Sequence, residues 1–447
     1  MFFLIPCLAF AEQKYIIAQE VFEISGRTRE KRLLDELGTA EGRIFSSESE
    51  LEAFAEYRKQ ELENLRLFKE TSVDIEYPEE GAVPPDQEGG ESKPEADGPI
   101  QVVLRTKVED GIPILPIPFA FYNSNSGFAA GVFLNMPNIF GTMQDLMLAG
   151  VYMAPPAADD SLQWTDPDLV FGLMWQGIKI FRLKLTVVAA LVKINQETTA
   201  RGIPQVKLTH TSLTGGIMLT YPFTESFSTS SSFMYTAGLA NSLVDVSNPD
   251  YLQYGPYKTQ IQVGQIFSFD NVNWTGNFRK GIKIRGDIGY NYADPVHAEA
   301  YHDFSSSLEY CQYFAAGEWI NPNFRAGAFI NSGPPSLEAG RFIRGIRDNE
   351  LKGNYGFYVN TGIQIRILRL KILEVHLAPS ADFIFVSAYS DPDYLADYGF
   401  AIGSDIMVIL NHMKSLPLRL GFAYDLRPES RIGNKRYEIN FSFSFAY

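Results

Sequence analysis

Few residues of this chain are of a type and spacing that could do chemistry. Its five histidines, His210, His297, His302, His376 and His412, are scattered. None falls in the H-E-x-x-H spacing that places two imidazoles on one helix face around zinc. His297 and His302 share a loop-like stretch with Asp294 and Asp303, which reads as solvated loop rather than metal site. Two cysteines, Cys7 and Cys311, are too few for a disulfide framework or a thiolate zinc site. No G-x-S-x-G elbow presents a serine nucleophile and no P-loop cradles a phosphate. The Ser-rich run Ser226 to Ser232 reads as one face of a strand. The chain is therefore read as no enzyme, without catalytic residue, cofactor or metal, and its function must lie in architecture.

Charge divides the chain into two parts. Over residues 12–111, 25 acids face 13 bases and there are 7 aromatics; over 112–447, 28 acids face 25 bases and there are 50 aromatics. An acidic, water-loving module thus precedes a long, aromatic-rich body poor in charge. The total, 53 acids against 38 bases, argues against a nucleic-acid partner, since a phosphate backbone is held by clustered Lys and Arg. No apolar run reaches the ~18–20 residues of a membrane helix.

Residues 1–11 (MFFLIPCLAFA) are wholly apolar and end in Ala9-Phe10-Ala11, a small-x-small site before Glu12. They read as a short export signal lacking the basic start such signals carry, with a buried strand as the alternative. In the module at 12–111, Tyr15 to Ser25 alternates as a strand and Gly26 stops it. Thr28 is expected to cap a helix that runs to Leu37 before Gly38. Ser47 and Glu50 form a capping box for a longer helix, whose apolar face is Leu51, Phe54, Leu62, Leu65 and Phe68. Lys69 to Tyr77 and Ile100 to Val108 read as two further strands, giving the order β-α-α-β-β. Between them, residues 82–98 (AVPPDQEGGESKPEADG) cannot bury a core and read as a disordered acidic insertion.

From Ile114 onward the pattern is a train of alternating segments. In Tyr437 to Tyr447 the odd positions are Tyr, Ile or Phe and the even ones Glu, Asn, Ser or Ala. In Leu416 to Asp425 the even positions Leu418, Leu420, Phe422 and Tyr424 are apolar, which turns Asp425 to the other face. In Gly399 to Leu410, Phe400, Ile402, Ile406 and Val408 oppose Asp405. A soluble sandwich would carry charge on its outer face; here one face is greasy and the other small and polar, the signature of a transmembrane barrel. Only closure satisfies every backbone group in hydrocarbon. The expected fold is mainly β, an antiparallel barrel of about 16 strands over 112–447 behind one small α+β domain. Tyr122, Tyr221, Tyr235, Tyr292 and Tyr389 are expected as interfacial girdles.

Two regions resemble a known family. Residues 341–356 (RFIRGIRDNELKGNYG) resemble the V-R-G-F/Y loop of the outer-membrane translocase–insertase superfamily, the bacterial surface antigen family that includes BamA; Arg344-Gly345 is its Arg-Gly core, flanked by Arg341 and Arg347. The β-α-α-β-β module is similar to a POTRA domain, and Phe121 to Gly127 looks like the start of that family's barrel. The resemblance implies a bacterial outer-membrane barrel with its N-terminal domain in the periplasm. It further implies a loop that folds back into the lumen, where its Arg-Gly tip meets acidic residues. Alternation independently turns Asp405 and Asp425 inward, and Asp382 lies on the polar parity of its strand at the position matching the family's acidic one. The implied partners are outer-membrane lipid, unfolded client polypeptides and further subunits of an assembly machinery. The chain has room for one POTRA-like domain, where the essential insertase has several.

Two functions follow. One is an insertase or translocator for β-rich clients, in which the module captures chains by strand addition and the first–last strand seam opens. The other is a porin-like transport channel whose soluble domain is a scaffold or plug. Pro116 and Pro118 favour the first, because proline cannot donate to a ladder and sits at edges or strand starts. They can equally end a linker. The last strand, to Tyr447, has neither Pro nor Gly, and Phe119 and Phe443 are the residues expected to bracket the seam.

Overall fold

The computed structural model describes residues 14–65, 67–77, 98–111, 114–123, 127–154, 167–200, 203–224, 226–247, 256–333, 337–346, 351–387, 396–410, 418–427 and 436–443. The leader at 1–11 lies outside them, as does the acidic insertion at 82–98 except for its last residue. The chain divides into two compact units, one of residues up to 113 with Pro137–Met143, the other the remainder.

The first unit runs β1 (Tyr15–Ser25), α1 (Glu30–Leu37), β2 (Ile44–Phe45), α2 (Glu48–Leu65), β3 (Phe68–Glu76) and β4 (Ile100–Asp110). Its sheet order is β2-β1-β4-β3, with β1 parallel to β4 and β3 antiparallel to it. Ile17, Leu51 and Leu104 are fully buried in one core cluster, and Leu33, Leu62 and Val108 centre another. Three local expectations change. Arg29, not Thr28, is the N-cap of α1, because the Thr28 hydroxyl donates to Asp110 Oδ1 at the end of β4. The capping box is split: Ser47 Oγ accepts from Glu50 N at 3.2 Å, while the Glu50 carboxylate takes Ser46 N at 2.8 Å and Ser46 Oγ at 2.6 Å. Phe68 opens β3 rather than finishing the face of α2. The unit also has a buried cation, Arg58 at 2% exposure, which donates to the carbonyls of Leu37 at 2.6 Å and Gly38 at 2.7 Å. Burial pulls its guanidinium below the ordinary arginine pKa. It satisfies carbonyls that α1, with no basic residue in its last turn, would leave bare.

The second unit consists of β5 (Leu115–Asn123), β6 (Gly127–Met136), β7 (Asp145–Ala154), β8 (Asp168–Ile180), β9 (Leu183–Ala200), β10 (Ile203–Pro222), β11 (Phe227–Val246), β12 (Tyr257–Thr275), β13 (Phe278–Pro295), β14 (Tyr301–Tyr313), β15 (Ile320–Asn331), β16 (Leu337–Glu338), β17 (Lys352–Gly353), β18 (Tyr355–Arg369), β19 (Leu373–Ser387), β20 (Asp397–Leu410), β21 (Leu418–Asp425) and β22 (Tyr437–Phe443). β16 and β17 pair with each other in the connection from β15 to β18. The other sixteen strands close into an antiparallel barrel, as the alternation predicts, with β22 pairing back onto β5. Side chains sort by parity. Leu418, Leu420, Phe422 and Tyr424 are exposed on the outside, while Ala423 and Asp425 are buried within. Phe400, Ile402 and Ile406 point out of β20, and Ala401 and Asp405 point in. Such a wrap-around apolar surface matches lipid, not water. Tyr122 and Tyr235 are exposed on this surface; Tyr389 lies outside the described residues.

Candidate functional site

The connection between β15 and β18 turns into the lumen. After a 3-10 turn at Ala339–Phe342, Ile343 and Ile346 are buried with Leu351 against Phe329, Tyr358, Ile384 and Val386 of the wall. Phe342 stacks on Tyr358 at 4.6 Å between ring centres, and Asn360 Nδ2 donates to the Phe342 carbonyl at 3.0 Å. Gly399, which pairs with Ile384, leaves room for these side chains: a Cβ there would lie 2.5 Å from Ile343 Cδ1 and 2.7 Å from Ile346 Cδ1.

Seating brings Arg344 onto two strands. Its Nε and Nη2 donate to the two oxygens of Asp382, each at 2.8 Å, and its backbone N donates to the same carboxylate at 3.0 Å. This is the forked geometry in which guanidinium and carboxylate pair most strongly. Nη1 reaches Asp405 Oδ2 at 3.5 Å, and Asp405 is also held by Arg419 of β21. The next residue, Gly345, takes φ +81°, a left-handed conformation, and its N–H donates to Glu438 of β22 at 2.6 Å. One dipeptide therefore ties the loop to β19, β20 and β22. The carboxylates of Asp382 and Asp405 are both 2% exposed, so the loop's guanidinium offsets charge that burial would otherwise penalise.

The other residues named from the sequence fall as follows. Asp425 faces inward but is not a partner of Arg344: Arg427, two residues on, folds back and donates to it at 2.7 Å through Nη2 and 2.9 Å through Nε. Arg341 is exposed and lies over the Phe342 ring, 5.1 Å from its centre. Arg347 lies outside the described residues. Sequence alone does not single out Glu438, Asn360 or Gly399; the polar parity of the last strand is the signal that turns Glu438 inward. His302 Nδ1 pairs with the Tyr290 hydroxyl, and among the described residues no group of three His, Cys, Asp or Glu is placed to hold a metal.

At the seam, the described residues of β22 and β5 form the pairs Asn440–Asn123, Phe441–Tyr122 and Ser442–Phe121. Pro116 and Pro118 are exposed at outward positions of β5. Phe119 points inward and stacks on Phe133 with ring centres 4.4 Å apart. Continued in register, position 443 would oppose Ala120, so Phe119 and Phe443 are not a facing pair; Tyr122 and Phe441 are. The side chain of Phe443 and all of Tyr447 lie outside the described residues.

Solved structures share this architecture. CdiB from Escherichia coli aligns with TM-score 0.61 and 14% identity over 97% of this chain and 77% of that one. CdiB from Acinetobacter baumannii aligns with TM-score 0.59 and 16% identity over 97% and 74%. BamA from Haemophilus ducreyi lacking POTRA domains 1–3 aligns with TM-score 0.54 and 13% identity over 96% and 85%. The fold is that of CdiB and BamA. The likeness spans both units, and at these identities it is a likeness of fold. No protein-family model and no curated protein matches the sequence.

Proposed function

We propose that the chain is an outer-membrane protein insertase or translocator whose working part is the β5–β22 seam. The observation that carries this is the makeup of the first strand: β5 closes onto β22 and carries Pro116 and Pro118, neither of which has an N–H to give to a ladder. In hydrocarbon each unpaired backbone group costs several kcal/mol, so a barrel that only had to conduct would gain from a closing strand with its full set of donors. A first strand short of donors is one with which an incoming client strand can compete. The CdiB and BamA fold, the seated Arg344 loop and the POTRA-like order of the first unit support the same reading. In it the first unit lies in the periplasm, and its edge strand β3, nine residues long, offers a site for client strand addition.

The test is a disulfide across the facing pair, Tyr122→Cys with Phe441→Cys, in a background without the native cysteines. Oxidation is expected to abolish client assembly or secretion while the barrel still migrates as a folded species in unheated gels. Reduction is expected to restore activity. Full activity of the oxidised protein would overturn lateral opening and favour a porin-like channel. Depletion that lowers many outer-membrane proteins would mark a general insertase, and loss of one exported protein a dedicated translocator.

A further inference from the structure

At another level of the lumen, away from Arg344, a second set of buried polar groups is centred on Glu374. Its Oε2 accepts from Asn277 Nδ2 at 2.9 Å and Arg366 Nε at 3.0 Å, and lies 3.0 Å from His376 Nε2. Gln364 Nε2 approaches His376 Nδ1 at 2.8 Å, so with Gln364 donating, the imidazole proton is on Nε2 and points at Glu374. His376 is 0% exposed, Glu374 5% and Arg366 6%. His376 shares the parity of Asp382, Ile384 and Val386, which line the lumen.

What buries these groups is the tip of another hairpin. Gly276 and Asn277 join β12 to β13, which begins at Phe278, and in the sheet β14 and β15 stand between β13 and β18. From β13 to β19 is four strand spacings, about 19 Å around the wall. An Asn side chain spans only a few ångströms, so the tip meets Glu374 by leaning inward across the barrel mouth. Near the tip Gly281 takes φ +129°, where a side chain would strike the Asn271 carbonyl. Asn321 of β15 holds the backbone beside the tip like a strand partner, its Oδ1 accepting from Arg279 N at 3.1 Å and its Nδ2 donating to Arg279 O at 2.7 Å. The Phe278 ring packs edge-on to His376 at 5.4 Å, with the Arg366 guanidinium 4.8 Å from its centre. Glu374 lies eight residues before Asp382 on β19, about 27 Å along the strand.

We propose that the inward-folded β12–β13 tip is a second lock on the lumen, with Glu374 as its hub, acting in series with the Arg344 loop. The lumen then conducts only when both are released, and an intact barrel with either one engaged is closed. This assigns Asn277, Glu374 and Asn321 a gating part independent of the seam.

The test reads potassium conductance of the full chain in planar bilayers, with both native cysteines replaced. Asn277→Cys with Glu374→Cys removes the hub and allows the tip to be tied or freed by redox. In an Arg344→Ala background, reduction is expected to raise conductance at least several-fold over the oxidised protein. With Arg344 intact, reduction is expected to change it little. Equal conductance of oxidised and reduced protein in the Arg344→Ala background would overturn the second lock, and a large rise with Arg344 intact would overturn the series arrangement. Should Arg344→Ala fail to give a folded barrel, Asp382→Asn provides the released-loop background. Conductance needs no client, so failure here leaves the insertase reading standing, and failure of the seam cross-link leaves this one.

Discussion

Replacing Arg344 by Ala should release the luminal loop, and the hydrogen bonds set the scale. The substitution removes both forked bonds to Asp382, leaving a 2%-exposed carboxylate with the backbone N–H of residue 344. Removing one partner of a buried ion pair costs about 3–5 kcal/mol. The Arg344 side chain is 26% exposed, which places this pair at the lower end. About 3 kcal/mol corresponds to roughly a hundredfold shift between seated and released loop. Asp405→Asn should do much less, because its contact with Arg344 is the long one at 3.5 Å, and about 1 kcal/mol, a shift of roughly fivefold, is expected. The assay is maleimide labelling at Ile346→Cys, a position 2% exposed when the loop is seated, in a background without native cysteines. Labelling should accelerate in the order wild type, Asp405→Asn, Asp382→Asn and Arg344→Ala. Labelling of Arg344→Ala at the wild-type rate, or a larger effect of Asp405→Asn than of Asp382→Asn, would refute this account of the loop.

Gly399→Val should unseat the same loop without touching a charge, since its Cβ would collide with Ile343 and Ile346; unchanged labelling at Ile346→Cys would count against the close-packing argument. Arg58→Ala should destabilise the first unit by about 2–3 kcal/mol, the order expected for two charge-assisted bonds to the end of α1, read as faster hydrogen exchange in α1, and Arg58→Lys should not restore it because one ammonium lacks the fork. Tyr77, whose hydroxyl donates to Glu48 at 2.7 Å, has its pKa raised to about 12 by that hydrogen bond. Because the folded value lies above the unfolded one, this bond stabilises the unit fully below pH 10 and fades as pH rises through about 12; Tyr77→Phe should remove that slice of the alkaline absorbance titration. Glu50 is held below the usual carboxylate range by its bonds to Ser46, so the start of α2 should be protected at neutral pH and fray as acid titrates Glu50, a dependence that Glu50→Gln should abolish in exchange measurements.

The barrel was legible because lipid and lumen impose opposite chemistry on alternate residues. Parity alone turns Asp405 and Asp425 inward, and both are buried there. Parity assigns a face but no partner, so it could not show that Arg427, two residues along the chain, takes Asp425 while Asp405 is shared with Arg419. The same limit hid the hub at Glu374, whose partner Asn277 comes from the β12–β13 turn, 97 residues away. At the seam the difficulty was different. Residues 115–123 (LPIPFAFYN) are apolar on both faces, so alternation is weak there and Phe119 could not be assigned inward without the Phe133 ring beside it. In the first unit Thr28 has the chemistry of an N-cap, yet a carboxylate 82 residues later wins its hydroxyl. Local propensity loses to a tertiary hydrogen bond in that case.

Strand length around the barrel is uneven, and this bears on the bilayer itself. β10 and β11 have 20 residues each, against 13 in β14. At about 3.4 Å per residue and a tilt near 40°, a 20-residue strand rises about 52 Å along the barrel axis and a 13-residue strand about 34 Å. The apolar band of such barrels is about 25 Å tall, so β10 and β11 are about twice its height. In an outer membrane, these strands would raise a rim of wall beyond the lipid surface on one side of the circumference.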